Sequence, residues 1–157
     1  MEKRRVEDSK TENSYNLRPT HINGYGRLFG GILMQWIDEM AGLVSRRHCH
    51  AEVTTAAIDN LVFKSAAYIN DVLVLSGQVT YVGRTSMEVR VLTYAEDQKT
   101  GMRRMINRAY VVMVAIDQDG NALEVPGLEL EHEEQIMEWE GGRRRYELRK
   151  ERRIEGY

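Results

Sequence analysis

The sequence predicts a single α+β domain in which one long helix packs on one face of an antiparallel sheet. Two observations carry this expectation. A stretch with the apolar period of a helix runs from about Gly30 to His48. After it, from Glu52 to Asp117, the pattern changes to strand-like runs with hairpin-like connections. One helix followed by successive strands is the order of an α+β layout. The length of 157 residues, 42% of them hydrophobic, suits one domain with a real core and leaves little room for a second.

Taken in order, residues 1–13 are almost wholly polar and read as a mobile leader. A glycine-punctuated loop, His21 to Gly31, leads into the helix. Val53 to Lys64 and Val72 to Val82 are rich in β-branched and apolar residues, as strands are. Val82-Gly83-Arg84-Thr85 reads as a turn. Ser86 to Tyr94 alternates, with Met87, Val89 and Val91 on one face and Glu88 and Arg90 on the other. Ala95 to Arg104 reads as a polar connection. Ala109 to Ile116 is continuously apolar, as expected of a strand covered on both faces. Asp119-Gly120 marks the next turn. The domain is expected over residues 14–128, followed by a charged tail over 129–157.

That tail is acidic in its first half and basic in its second, with Gly141-Gly142 between them. It reads as one or two solvated, salt-bridged helices appended to the domain. The alternative is a basic arm for an anionic partner, such as nucleic acid or the phosphates of a ligand. A formal net charge of −2 argues against a nucleic-acid partner held by bulk charge. The apolar runs are too short to cross a membrane, and the N-terminal residues hold no apolar signal core, so a cytoplasmic protein is expected. The lone cysteine, Cys49, forms no intrachain disulfide. It sits in His48-Cys49-His50, but adjacent side chains diverge and no further Cys/His cluster completes a tetrahedral set, so no metal site is expected.

The helix holds the chemistry. Its apolar residues cover more than half its circumference, so it is buried on most sides. Gln35, Glu39 and Arg46 mark a narrow polar side. Asp38 falls at the border, in a stripe with the small residues Gly31, Gly42 and Ser45. A carboxylate beside apolar surface is partly desolvated and makes a better base. The helix starts at Gly30-Gly31, whose N–H groups lack intrahelical partners and suit a developing oxyanion. Seven residues separate Gly31 from Asp38, roughly 10 Å along the axis. One helix therefore does not bring both to one carbonyl carbon. If both serve one reaction, two antiparallel helices from two subunits supply them, which predicts a homodimer with composite sites.

Gly26 to Glu39 closely resembles the helix signature of hotdog-fold acyl-CoA thioesterases, the bacterial short-chain and mammalian cytosolic acyl-CoA hydrolases. Arg47-His48-Cys49, Thr54-Thr55-Ala56, Asp59 with Phe63-Lys64, Asn70-Asp71 and Val82 to Glu88 also match, in order and at family spacing over about residues 15–117. The resemblance implies a hotdog fold of about five to six strands around a long central helix. It implies dimers with a continuous sheet, often gathered into hexamers. It implies that Asp38 is the catalytic carboxylate, acting as general base or nucleophile. Asn23 helps position water or substrate across the interface, and Gly30 and Gly31 polarise the thioester carbonyl. Arg84, Thr85 and Ser86 contact CoA, with Lys64 a further phosphate contact. No cofactor is implied, since CoA is part of the substrate. Two competitors differ in what they require. An acyl-CoA hydratase or dehydratase uses a histidine with a carboxylate; His21 is available, but the hydratase motif is missing. A non-catalytic acyl-CoA sensor would use the tail to bind a partner, but Asp38 and Asn23 are intact and no DNA-binding helix-turn-helix is recognisable.

Overall fold

The computed structural model describes residues 1–59 and 61–157. Along the chain lie β1 (Arg4–Arg5), β2 (Thr11–Asn16), α1 (Gly30–Cys49), β3 (Glu52–Asp59), β4 (Val72–Val82), β5 (Ser86–Glu96), β6 (Arg103–Ile116), β7 (Leu128–Glu129) and α2 (Glu133–Glu155). Five strands form one antiparallel sheet in the order β2-β4-β5-β6-β3, so β2 and β3 are its edges. β1 and β7 form a separate two-residue parallel ladder.

The helix and the strand alternation are where the apolar pattern puts them. Leu33, Trp36, Ile37, Met40, Ala41 and Val44 turn inward from α1 and are buried. They meet Met87, Val89 and Val91 of β5 and Val111, Met113 and Ala115 of β6, all buried in the same core. This is the sorting that period 3.6 in the helix and period 2 in the strands requires. Burial of these large apolar side chains is the main favourable term in the fold, of order 1.5–3 kcal/mol for each one fully buried.

Four expectations need correction. Residues 1–13 are not a mobile leader. Thr11–Asn16 pairs with β4 as an edge strand, Val6 is 1% exposed, and Tyr15 stacks on Trp36 of α1 at 4.1 Å between ring centroids. A polar edge strand with one inward aromatic carries no alternating apolar signal to read. The expected connection over Ala95 to Arg104 is shorter: β5 and β6 continue through Glu96 and from Arg103, leaving a turn held by the Asp97 carboxylate and carbonyl. The strand expected from Val53 to Lys64 stops at Asp59; Asn60 lies outside the described residues.

The fourth concerns the tail, which is helical and salt-bridged as expected but not solvated along its length. It is one helix, continuous through Gly141-Gly142, and it lies on the sheet face opposite α1. Gly142 is the point of closest approach: a Cβ there would stand 2.5 Å from Tyr81 Cβ and 3.0 Å from Glu88 Oε1. Trp139 and Tyr146 flank it and pack on Tyr81. Beneath the helix, Glu88 is 1% exposed. Arg145 Nε and Nη2 donate to its two oxygens at 2.9 and 2.8 Å, Arg149 donates at 3.3 Å, and the Thr80 hydroxyl donates at 2.7 Å. The Arg145 guanidinium also lies 3.6 Å over the Tyr110 ring. Glu138 takes Arg90 at 2.7 Å. Glu88 and Arg90 thus face α2 while their neighbours face α1. β6 is covered by α1 on one side and by α2 at Tyr110 on the other, while Val112 and Val114 on the α2 side are half-buried beside an open cavity.

Candidate active site

α1 begins on Phe29, whose side chain makes no cap, so the unpartnered N–H groups at this end belong to Gly30 and Gly31. The Phe29 ring lies against Gly31, where a Cβ would meet it at 2.6 Å, and Phe63 lies against Gly30. Both rings are about half exposed. The loop before the helix is shaped by Asn23. Its side-chain oxygen accepts from the N–H groups of Tyr25 at 2.9 Å and Arg27 at 3.2 Å, fixing a tight turn. With the oxygen so engaged, the donor capacity of the amide NH2 remains for another group. Asn23, Phe63 and Ile106 line a cavity of about 280 Å3 beside this helix end.

Asp38 lies two turns along α1, half-buried between Ile37 in the core and exposed Glu39. The Thr55 hydroxyl on β3 donates to its Oδ1 at 2.6 Å. Thr55 had no assigned role in the sequence reading. The signal was present, since Thr54-Thr55-Ala56 belongs to the matching motifs, but only the β3–α1 packing shows the contact. β3 is a sheet edge, so Thr55 and Asp38 sit at the rim. Thr54, Thr55 and Ala56 are exposed there, as are Met34 and Leu43 of α1.

The remaining residues fall elsewhere. Lys64 is exposed near the α1 N-terminus, its N–H donating to Ile106 O, whereas Thr85 O accepts from Ala115 N. Nine residues of β6 part those anchors, about 30 Å at strand rise, so within one chain Lys64 and the β4–β5 turn do not hold one group. Arg84 is exposed and turns toward Glu124 at 3.8 Å, while Thr85 and Ser86 line a different cavity together with α2. His21, the residue a hydratase would need, accepts the Arg18 N–H on Nδ1 and stands edge-on to Trp36. His48-Cys49-His50 is split: His48 is 1% exposed and its Nε2 is 2.8 Å from Pro126 O, Cys49 is half-buried, and His50 is an exposed left-handed cap with φ 55°. Burial holds the His48 pKa below the ordinary histidine value and pushes the Cys49 thiol up.

Comparison with known proteins decides the family. Residues 25–102 match the thioesterase superfamily. The acyl-CoA thioester hydrolase YkhA of Bacillus subtilis, itself uncharacterized, is 36% identical over 136 residues, covering 87% of this chain and 79% of that one. The chain belongs to the acyl-CoA thioester hydrolases of the thioesterase superfamily. Two solved structures of such thioester hydrolases share its fold. A hexameric acyl-CoA thioesterase superposes with a TM-score of 0.93 at 38% identity, covering 97% of each chain. The Staphylococcus aureus acyl-CoA hydrolase, solved with butyryl-CoA, CoA and CoA disulfide, gives 0.91 at 32% identity, covering 97% of this chain and 93% of that one. That hydrolase has also been solved with an aspartate, an asparagine or a threonine replaced by alanine. Among the described residues of this thioester hydrolase, no helix is long and apolar enough to cross a membrane.

Proposed function

We propose that this thioester hydrolase cleaves acyl-CoA to a carboxylic acid and CoA at a site shared by two protomers, with Asp38 as the catalytic carboxylate. The observation that carries the assignment is the Thr55 hydroxyl on Asp38 at an unpaired sheet edge. The hydroxyl occupies Oδ1 and orients the carboxylate, leaving Oδ2 for a water or for direct attack on the thioester carbon. Asp38, Asn23 and Thr55 are the same three residue types as those replaced in the Staphylococcus enzyme.

The carbonyl sits at the N-terminus of the partner's α1. There the Gly30 and Gly31 N–H groups, at the positive end of the helix dipole, stabilise the oxyanion. The Asn23 amide supplies a further donor to water or to the carbonyl. Two considerations support a dimer. The helical rise keeps Asp38 and Gly31 of one chain about 10 Å apart. The free edge of β3 and the exposed Met34 and Leu43 are what an antiparallel β3–β3 pairing with facing helices would cover. Three such dimers would form a hexamer, the state named for the thioesterase neighbour. The reaction uses protein groups and water, with CoA as part of the substrate, and takes place in the cytoplasm.

The test follows thiol release from a panel of acyl-CoA esters by wild type and Asp38→Asn. General-base and nucleophile roles predict a loss of at least about a hundredfold in kcat with folding preserved. A folded Asp38→Asn that keeps the wild-type rate removes Asp38 from the chemistry. CoA binding without turnover by wild type overturns the hydrolase reading in favour of a sensor.

A further inference from the structure

Asn23 and Gly24 are the one Asn-Gly pair in the chain. Once deprotonated, the backbone nitrogen after an asparagine can attack that asparagine's side-chain amide carbon, and glycine puts no Cβ in the way. The fold leaves both parties to this attack available. Gly24 is exposed, and among the described residues its N–H donates to no acceptor. The N–H groups around it are engaged: Asn23 N–H goes to Arg27 O at 2.7 Å and Gly26 N–H to Asn23 O at 3.1 Å. The electrophile is prepared by the same turn. Asn23 Oδ1 accepts from Tyr25 N–H at 2.9 Å and from Arg27 N–H at 3.2 Å. Two donors draw charge from the amide carbon and stand where they hold the oxyanion formed when it is attacked. The ring closed by the Tyr25 bond contains the Gly24 nitrogen, so Cγ and the nitrogen are held over one turn. The NH2, which must leave, is the half of the amide that these bonds do not tie down.

We propose that Asn23 is a site of spontaneous deamidation, which sets a chemical limit on the working life of the protein. Gly24 N gives its proton to solvent and bonds to Asn23 Cγ. The bond from Cγ to the side-chain nitrogen breaks, and that nitrogen leaves as ammonia with a proton from water. One water then opens the succinimide ring. Opening at Cγ leaves aspartate at this position on a normal backbone. Opening at the Asn23 main-chain carbonyl leaves isoaspartate, with the main chain running through Cγ. In sum, one amide and one water become one carboxylate and one ammonium ion. Either product removes the NH2 donor and sets a negative charge in the cavity beside the Gly30–Gly31 end of α1, where it opposes an oxyanion. Isoaspartate also lengthens the chain inside the turn that the Ile22–Leu28 bridge closes. The loss of activity rests on the hydrolase reading; the modification does not.

The experiment incubates wild type and Gly24→Ala at neutral and mildly alkaline pH. Samples are read by peptide mass spectrometry, with fragmentation to locate the change, and by thiol release from butyryl-CoA. Asn13 and Asn16, exposed in β2 and not followed by glycine, are internal controls. Position 23 should convert at least about tenfold faster than either, the factor that a barrier lower by about 1.4 kcal/mol gives. The rate should rise with pH, because Gly24 N must shed a proton to attack. Gly24→Ala should fold and start with the wild-type rate of thiol release. Nothing lies within 4 Å of its Cβ, and the positive-φ glycines are others. Its conversion should be about tenfold slower, by the same conversion of barrier to rate. In wild type the activity lost should track the fraction converted, and Gly24→Ala should keep its activity. Position 23 converting no faster than Asn13 and Asn16, or at a rate flat with pH, overturns the proposal. So does Gly24→Ala converting as fast as wild type. Conversion without loss of thiol release overturns the limit on working life. If fresh wild type releases no thiol, the hydrolase reading fails by itself, and the mass readout still decides the modification.

Discussion

Gly141 and Gly142 are adjacent in one helix, and alanine at each should shift stability in opposite directions. In the interior of a helix, Gly→Ala gains roughly 1 kcal/mol from propensity alone. At Gly141 a Cβ would meet only the Arg145 guanidinium, closest at Nη1 at 3.0 Å, the nitrogen not bonded to Glu88, so a shift of a few tenths of an ångström relieves it while Nε and Nη2 keep their carboxylate. The gain should survive, and Gly141→Ala should stabilise by about 0.5–1 kcal/mol. At Gly142 the new methyl would stand 2.5 Å from Tyr81 Cβ and 3.0 Å from the Glu88 carboxylate. Tyr81 Cβ is fixed to β4, so relief requires α2 to rise off the sheet, stretching the Arg145–Glu88 pair beneath it. Overpacking of this kind costs about 1–3 kcal/mol, and loosening the buried pair adds to it. After subtracting the propensity gain, Gly142→Ala should destabilise by about 2 kcal/mol. At about 2–4 °C per kcal/mol for a chain of this size, its Tm should fall by about 4–8 °C. The measurement is thermal and urea unfolding of the three proteins at one protomer concentration, since association shifts apparent stability. Gly142→Ala as stable as wild type would refute the docking of α2 on β4. Equal losses in both variants would refute the assignment of the two glycines to different faces.

Other outcomes follow from the same contacts. Glu88→Ala leaves Arg145 and Arg149 facing a buried site without their anion and should cost about 3 kcal/mol, read as a lower urea midpoint. Thr55→Val keeps the strand shape but removes the donor to Asp38; kcat should fall about tenfold with KM nearly unchanged, and an unaltered kcat would mean the hydroxyl does not orient the carboxylate. His48 is kept neutral chiefly by burial, so its folded pKa lies below the ordinary 6.5. The unfolded chain then binds the extra proton first. Stability should hold above about pH 6.5 and decline as pH falls through that value toward the folded pKa. His48→Gln should flatten this decline in Tm against pH, and a slope equal to wild type would place its origin elsewhere.

Much of the fold was legible because the informative elements bury one face. The Gly30–Cys49 helix, the Val72–Val82 strand and the Met87/Val89/Val91 alternation all carry periods that burial imposes. Asp38 stood out for the same reason, as a carboxylate at the edge of an apolar arc. Thr11–Asn16 was missed because an edge strand needs backbone partners more than apolar side chains. The tail's helix was legible, but its docking was not, because Glu88, Arg145 and Arg149 look solvated in sequence. Only their pairing beneath α2 makes them buried groups.

By itself, the sequence determined the α+β order, the helix with its glycine start and its carboxylate, and the family through motifs at fixed spacing. These rest on local period and residue type, which the chain carries wherever it folds. Tertiary structure alone decided that Thr55 orients Asp38 and that Gly142 lets α2 close on the sheet. It also decided that Arg152 and Arg153 share a cavity with Thr85 and Ser86. Each of these joins residues far apart in the chain, and no local pattern records which face of one element will meet which face of another.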